Sequence, residues 1–193
     1  IIHAVAGMSS NHVFAVGHEG TVLFWDGRRW QGEPTDTTSE LWGLIVFDEE
    51  RAMAVGDSGA AVQRTEQGWS ITETGVDVRL EALWGNDADH LFAVGEAGTI
   101  IRWNGRSWSP MESGTDAHLN AIWGSSASNV YVAGEDGTLL HWNGSQWTSI
   151  ETGTDADLNG IWGSGSNDVI VIGGRGTMLL WNGQRWLERT DVT

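Results

Sequence analysis

Five positions spaced 39 residues apart, His3, Trp42, Glu81, Asn120 and Asn159, are polar or aromatic and differ from one to the next. An imidazole, an indole, a carboxylate and two amides at equivalent places would suit a rim that reads one asymmetric ligand by hydrogen bonding and stacking. His3 and Glu81, joined by Asp89, would supply the acid and base of a hydrolase if they met at a common axis. Asp116, Asp155 and Asp157 lie in Thr115-Asp116-Ala117-His118 and Thr154-Asp155-Ala156-Asp157, and carboxylate oxygens suit hard cations. Neither segment has the length or glycine-punctuated acidic spacing of a calcium loop, so no metal site is expected. His3, His12, His18, His90, His118 and His141 form no pair at metal-ligand spacing, and none recurs in register. A Gly-x-Ser-x-Gly elbow, a phosphate loop and a dinucleotide fingerprint are all missing. Cysteine is absent too, which removes thiol catalysis and disulfides. The expectation is a noncatalytic protein without a cofactor.

Tryptophan is the other residue type with chemical potential, because a flat indole can cover the apolar face of a sugar ring. Of the 13 tryptophans, all but Trp42 fall into three columns of the 39-residue period. One column is Trp30, Trp69, Trp108, Trp147 and Trp186. A second is Trp25, Trp103, Trp142 and Trp181, with Arg64 in the second copy. The third is Trp84, Trp123 and Trp162, with Ala6 and Ile45 in the first two copies. Such regularity points to packing between repeats rather than to ligand contact.

The elements that must position these residues follow from the same period. Gly17, Gly56, Gly95, Gly134 and Gly173 are each followed three residues later by a second glycine, with no insertion between copies. Residues 119–157 read as four short strands. Val130-Tyr131-Val132-Ala133 is β-branched and aromatic and closes at Gly134; Gly137-Thr138 opens a third strand that ends at Trp142. Asn143-Gly144 predicts a two-residue type I′ turn, which would make Leu140, Trp142 and Trp147 diagonal neighbours on one sheet face and turn His141 to the other. The third position of each first strand is small: Ala4, Gly43, Ala82, Ala121 and Gly160. Small side chains suit strands that converge on an axis. The prediction is all-β: a five-bladed β-propeller with four antiparallel strands per 39-residue blade, one domain over 1–193. Its blades would run about 1–40, 41–79, 80–118, 119–157 and 158–193. No strand is exchanged between the ends, so a closed ring would rest on packing between the first and last blades. The alternative is a partial ring that completes itself by self-association.

The repeat resembles the tryptophan-rich propeller repeats found in tandem in bacterial cell-surface and secreted proteins. The pattern is carried here by Ile122-Trp123-Gly124, Leu91-Phe92-Ala93-Val94-Gly95, Gly137-Thr138, Trp142-Asn143-Gly144 and Trp147. The second copy departs from it with Arg64-Thr65-Glu66, and the first lacks the Ile-Trp-Gly tryptophan. The resemblance implies blade architecture and an extracellular or cell-surface setting, but no particular activity.

Charge narrows the partners. Ten basic residues, every one arginine, oppose 26 acidic ones, for a formal net charge of −16. Nucleic acid and anionic membranes would be repelled, and basic partners attracted. No run approaches the roughly 18 apolar residues of a membrane helix. The chain opens on Ile1-Ile2-His3 without a methionine, which points to a processed product or an excised piece of something longer. The leading expectation is a noncatalytic, lectin-like binding module with repeated weak sites for carbohydrate. Beside it stands a protein-interaction scaffold within a larger surface protein, using Trp42, Arg51 and Arg64 of the odd second copy. The axial hydrolase comes third.

Overall fold

The computed structural model describes residues 1–189; the last four residues of the expected fifth blade, 190–193, lie outside the described residues. Twenty strands form five separate four-stranded antiparallel sheets, each built from consecutive strands. The first sheet comprises β1 (Ile2–Ser9), β2 (His12–Gly17), β3 (Val22–Trp25) and β4 (Trp30–Glu33). The second comprises β5 (Leu41–Val46), β6 (Ala52–Gly56), β7 (Ala61–Thr65) and β8 (Gly68–Ile71). The third comprises β9 (Leu80–Asp87), β10 (His90–Gly95), β11 (Ile100–Trp103) and β12 (Trp108–Met111). The fourth comprises β13 (Leu119–Ser126), β14 (Asn129–Gly134), β15 (Leu139–Trp142) and β16 (Trp147–Ser149). The fifth comprises β17 (Leu158–Gly165), β18 (Asp168–Gly173), β19 (Met178–Trp181) and β20 (Trp186–Arg189).

The chain divides into two compact units, Ile1–Ala93 with Ile101–Pro110, and Val94–Ile100 with the described residues from Met111 onward. In the first unit, Phe14, Val16 and Val22 meet Leu41, Ala52, Ala54, Val62 and Trp69 between the first two sheets. Between the second and third, Met53, Val55 and Ala61 meet Leu80, Leu83, Leu91, Ile101, Trp103 and Trp108. In the second unit, Ala133 and Leu139 pack against Leu158, Val171 and Leu179. A sheet this small cannot hide both faces by itself, so stacking on a neighbour supplies the core. Gly43, in the small-residue column, shows the crowding directly: a Cβ there would lie 2.8 Å from Leu83 Cδ2 and 3.1 Å from the Glu81 carbonyl oxygen.

The second and third strands of each copy are joined through a left-handed pair. Asp136 (φ 52°) precedes Gly137 (φ 68°), and the same pairing recurs at Glu19, Ser58, Ala97 and Arg175 with their following glycines. Thr138 N donates to the Glu135 carbonyl at 2.9 Å and closes the turn, so the third strand begins at Leu139.

The Asn-Gly turn differs from the two-residue hairpin expected. Trp142 pairs directly with Trp147 and Leu140 with Ser149, which leaves a four-residue loop over residues 143–146. Asn143 Oδ1 accepts from the backbone N–H of Ser145 and of Gln146, at 2.9 and 3.1 Å. The side chain thereby reinforces a turn that the Asn143 N–H also closes, donating to the Gln146 carbonyl at 3.3 Å. Trp142 and Trp147 become face-sharing partners with centroids 5.5 Å apart. His141 does point to the other face, where it stacks on Tyr131 at 4.5 Å.

The outermost faces differ from the inner ones. In the first sheet Val5 is 65% exposed and Trp30 46% exposed, whereas the equivalent Leu83 and Trp69 are 9% and 7% exposed. In the fifth sheet Trp162 is 61% exposed.

Candidate functional site

The column that varies between copies has a structural origin. Register shifts fall between Ile2 and Ala4, Leu41 and Gly43, Leu119 and Ala121, and Leu158 and Gly160. His3, Trp42, Asn120 and Asn159 are therefore the bulged residues of their first strands. A bulged residue is left out of the ladder and its side chain is re-aimed, which frees it from the inward and outward alternation of a strand.

In the first unit three members of this column come together. The His3 ring stacks on the Trp42 indole at 3.9 Å between centroids, with 27° between planes. The Arg79 guanidinium lies 4.9 Å from the centre of the same indole. Arg79 Nη1 reaches Glu81 Oε1 at 3.2 Å, and its Nε reaches Asp57 Oδ1 at 2.8 Å. Trp42 Nε1 donates to that same Asp57 oxygen, also at 2.8 Å. At the other end, His3 Nε2 meets Glu40 Oε2 at 3.1 Å and His18 Nδ1 meets Glu40 Oε1 at 2.8 Å. The result is a continuous polar and aromatic ladder, His18, Glu40, His3, Trp42, Arg79, Glu81, braced by Asp57.

The ladder shifts the titration of Glu40 and Arg79. A hydrogen bond from His18 holds the Glu40 carboxyl below its ordinary range; partial desolvation opposes this, and His3 adds to it. For Arg79, partial burial works against the charge, and the hydrogen bonds it donates to Glu81 and Asp57 outweigh this and raise the guanidinium further. Because Glu40 has a lower pKa folded than unfolded, its contribution to stability is complete above the free carboxylate value of about 4.3. It is lost as pH falls through the lowered folded value. Glu40→Gln is expected to flatten this acid limb, read from thermal melts across the carboxylate range and compared with the parent.

Other expected residues are employed elsewhere. In the second unit, Asn120 Nδ2 donates to the Leu158 carbonyl at 3.0 Å, and Asn159 is exposed. Asp155 pairs with Arg175 at 2.6 Å, Asp157 accepts from the Asp136 N–H at 3.2 Å, and Asp116 is exposed in its loop. Among the described residues no group of three or more His, Asp or Glu side chains could hold a metal ion. Asp89 sits in the turn after β9, eight residues from Glu81 and so about 25 Å along the strand direction. The grouping of His3, Glu81 and Asp89 imagined for a hydrolase is therefore not formed.

Arg51 and Arg64 do not join Trp42. Arg51 Nε pairs with Asp48 inside its own turn at 2.6 Å. Arg64 lies over Phe14 at 5.1 Å, and its Nη1 donates to the Glu49 carbonyl at 2.6 Å. Trp25, Trp142 and Trp181 make the same bond from Nε1 to Ser10, Ala127 and Ser166, at 3.0, 3.1 and 3.1 Å. The guanidinium thus replaces an indole N–H in a structural role. Of the tryptophans in register, Trp69, Trp103, Trp108, Trp142 and Trp147 are buried in packing, whereas Trp30 and Trp162 are exposed.

Glu40, Asp57, Arg79 and His18 escaped the sequence reading. Glu40 and Arg79 share one repeat position, two residues ahead of the variable column, with opposite charges. That alternation was the available signal.

No protein-family model matches the chain, and no curated protein sequence does. Solved structures do. The WD40 β-propeller domain of Doa1 superposes with a TM-score of 0.80 at 15% identity, over 97% of this chain and 68% of that one. YCF48 from Cyanidioschyzon merolae gives 0.72 at 14%, over 94% and 69%. The WD40 repeats of RRP9 give 0.73 at 13%, over 93% and 62%. At such identities the likeness is one of fold. The chain is an all-β propeller repeat protein, with five four-stranded antiparallel blades.

Proposed function

We propose that the chain is a noncatalytic protein-interaction module, a scaffold within a larger surface protein, that meets its partner through the His3, Trp42 and Arg79 ladder. The observation that carries this reading is the locking of Trp42 and Arg79 by Asp57, Glu81 and His3. Tryptophan and arginine dominate the energetics of protein interfaces, and side chains already held in place lose little further entropy on binding. Glu40, Asp57 and Glu81 outnumber the single arginine, and the net charge of the chain is −16. Both favour a partner with a basic face.

The test uses the full chain as bait for binding partners from its native surroundings, followed by calorimetry with the protein recovered. Trp42→Ala and Arg79→Ala should each weaken binding by about 30-fold or more, the effect of losing a hot-spot residue. Arg51→Ala should leave it unchanged. Oligosaccharide binding at several sites per chain, indifferent to Trp42, would replace this reading with the lectin. Glycoside turnover lost in Glu81→Gln would replace it with the hydrolase.

A further inference from the structure

The geometry points to an interaction surface independent of the ladder: we propose that the open face of the fifth blade binds the first blade of a second copy of this chain, head to tail. The inner contacts of the chain show what such a face accepts. In the second unit the Trp123 indole lies against Gly163 of the next first strand, where a Cβ would stand 2.6 Å from Trp123 Cη2. Each following blade also returns a tryptophan from its fourth strand: Trp69 sits edge-on to Phe14 at 5.6 Å, and Trp186 edge-on to Tyr131 at 5.6 Å. One blade thus offers a large ring to a bare backbone and receives a ring in exchange.

In the fifth blade the first half of this exchange is exposed: Trp162 is 61% exposed. Trp162 is the repeat equivalent of Trp123, and Ile170 of Tyr131. Together with Gly160, Ile161 and Ile172 they line one open, apolar hollow. Ile172, 49% exposed, replaces the fully buried Ala133 of the fourth blade.

The first blade offers the second half. Gly7 corresponds to Gly163 and is bare for the same local reason: each lies at a register shift, and a Cβ would approach the facing carbonyl oxygen, His12 O at 2.7 Å and Asp168 O at 2.8 Å. Beside it Val5 and Met8 are exposed, and Trp30 is the only tryptophan of its column that is. In a second copy, Gly7 would receive Trp162, and Trp30 would settle on Ile170. The two faces are unlike each other, so the contact is heterologous and leaves each dimer with one face of each kind still open.

Sedimentation of the full chain over a range of concentrations tests the proposal. Mass should rise with concentration. Ile172→Glu on one face and Val5→Glu on the other should each weaken association by about a hundredfold or more, since a buried unpaired carboxylate is costly. Both sites are exposed in the single chain, so melting temperatures should hold; Trp162→Gln is a second variant of the fifth face. Ile172→Glu mixed with Val5→Glu should give a one-to-one dimer, because each variant retains the face the other lacks. A parent chain that stays monomeric throughout, a mixture that fails to pair, or association that survives both substitutions would overturn it.

Discussion

Gly59→Ala is expected to cost about 4 kcal/mol or more of folding stability, a large share of the 5–15 kcal/mol typical of a domain. Gly59 sits at φ +68°, in the left-handed region, and a Cβ there would stand 2.0 Å from the Val76 carbonyl oxygen. That oxygen belongs to backbone and cannot swing aside. The same glycine donates its N–H to the Val78 carbonyl at 2.7 Å and accepts from the buried hydroxyl of Thr74 at 2.7 Å. Moving the backbone to make room would break the clasp that ties the left-handed turn to the segment leading into the next blade. Gly75 provides the control. Its φ of +77° is equally left-handed, but nothing lies within 4 Å of the added methyl. Gly75→Ala should therefore cost only the conformational strain, about 1–2 kcal/mol. Urea titrations followed by tryptophan fluorescence separate the two. Equal losses would mean that backbone strain, and not the collision with Val76, decides the matter.

The same clasp shows what the sequence could and could not disclose. Gly59 stood out as part of an exact period, because each blade needs the same left-handed turn and only glycine fits it cheaply. The strands were legible for a similar reason: Val130, Tyr131 and Val132 read as strand wherever they occur. The hairpin at Asn143 was misjudged because Asn-Gly serves two turns, and the four-residue one is supported by backbone N–H bonds that Asn143 Oδ1 accepts, which no dipeptide preference reveals. Arg64 was read into a contact face with Trp42 and Arg51 because its chemical type differs from the tryptophan of its column. Its Nη1 nevertheless takes over the bond that Nε1 makes in Trp142. The ladder was half visible. Periodicity marked His3, Trp42 and Glu81 as a column, but Glu40 reaches His3 across 37 residues and Asp57 reaches Arg79 across 22. Those pairings use different residue types in each copy, so a search for what repeats passes over them.

The column of fourth-strand tryptophans sets up a second large effect, in which one residue type at one repeat position should behave in two ways. Trp69 is 7% exposed, donates from Nε1 to Glu33 Oε2 at 2.7 Å, and meets Phe14 edge-on. Trp69→Ala removes that ring from between two blades and should cost about 3–5 kcal/mol, the range for a buried aromatic cut back to alanine. It also leaves Glu33 with Arg64 alone as the partner described for it, at 3.4 Å. Trp30 has the same place in the first blade but is 46% exposed. Its ring touches Trp25 at 5.6 Å between centroids and is otherwise half in water. Trp30→Ala should cost about 1 kcal/mol, since little apolar area returns to solvent. The comparison belongs at protein concentrations low enough to keep copies apart. Under those conditions the difference between the two variants measures what a neighbouring blade contributes through this one ring. Equal losses for Trp30→Ala and Trp69→Ala in dilute solution would mean that burial against a neighbouring blade is not what makes this column stabilising.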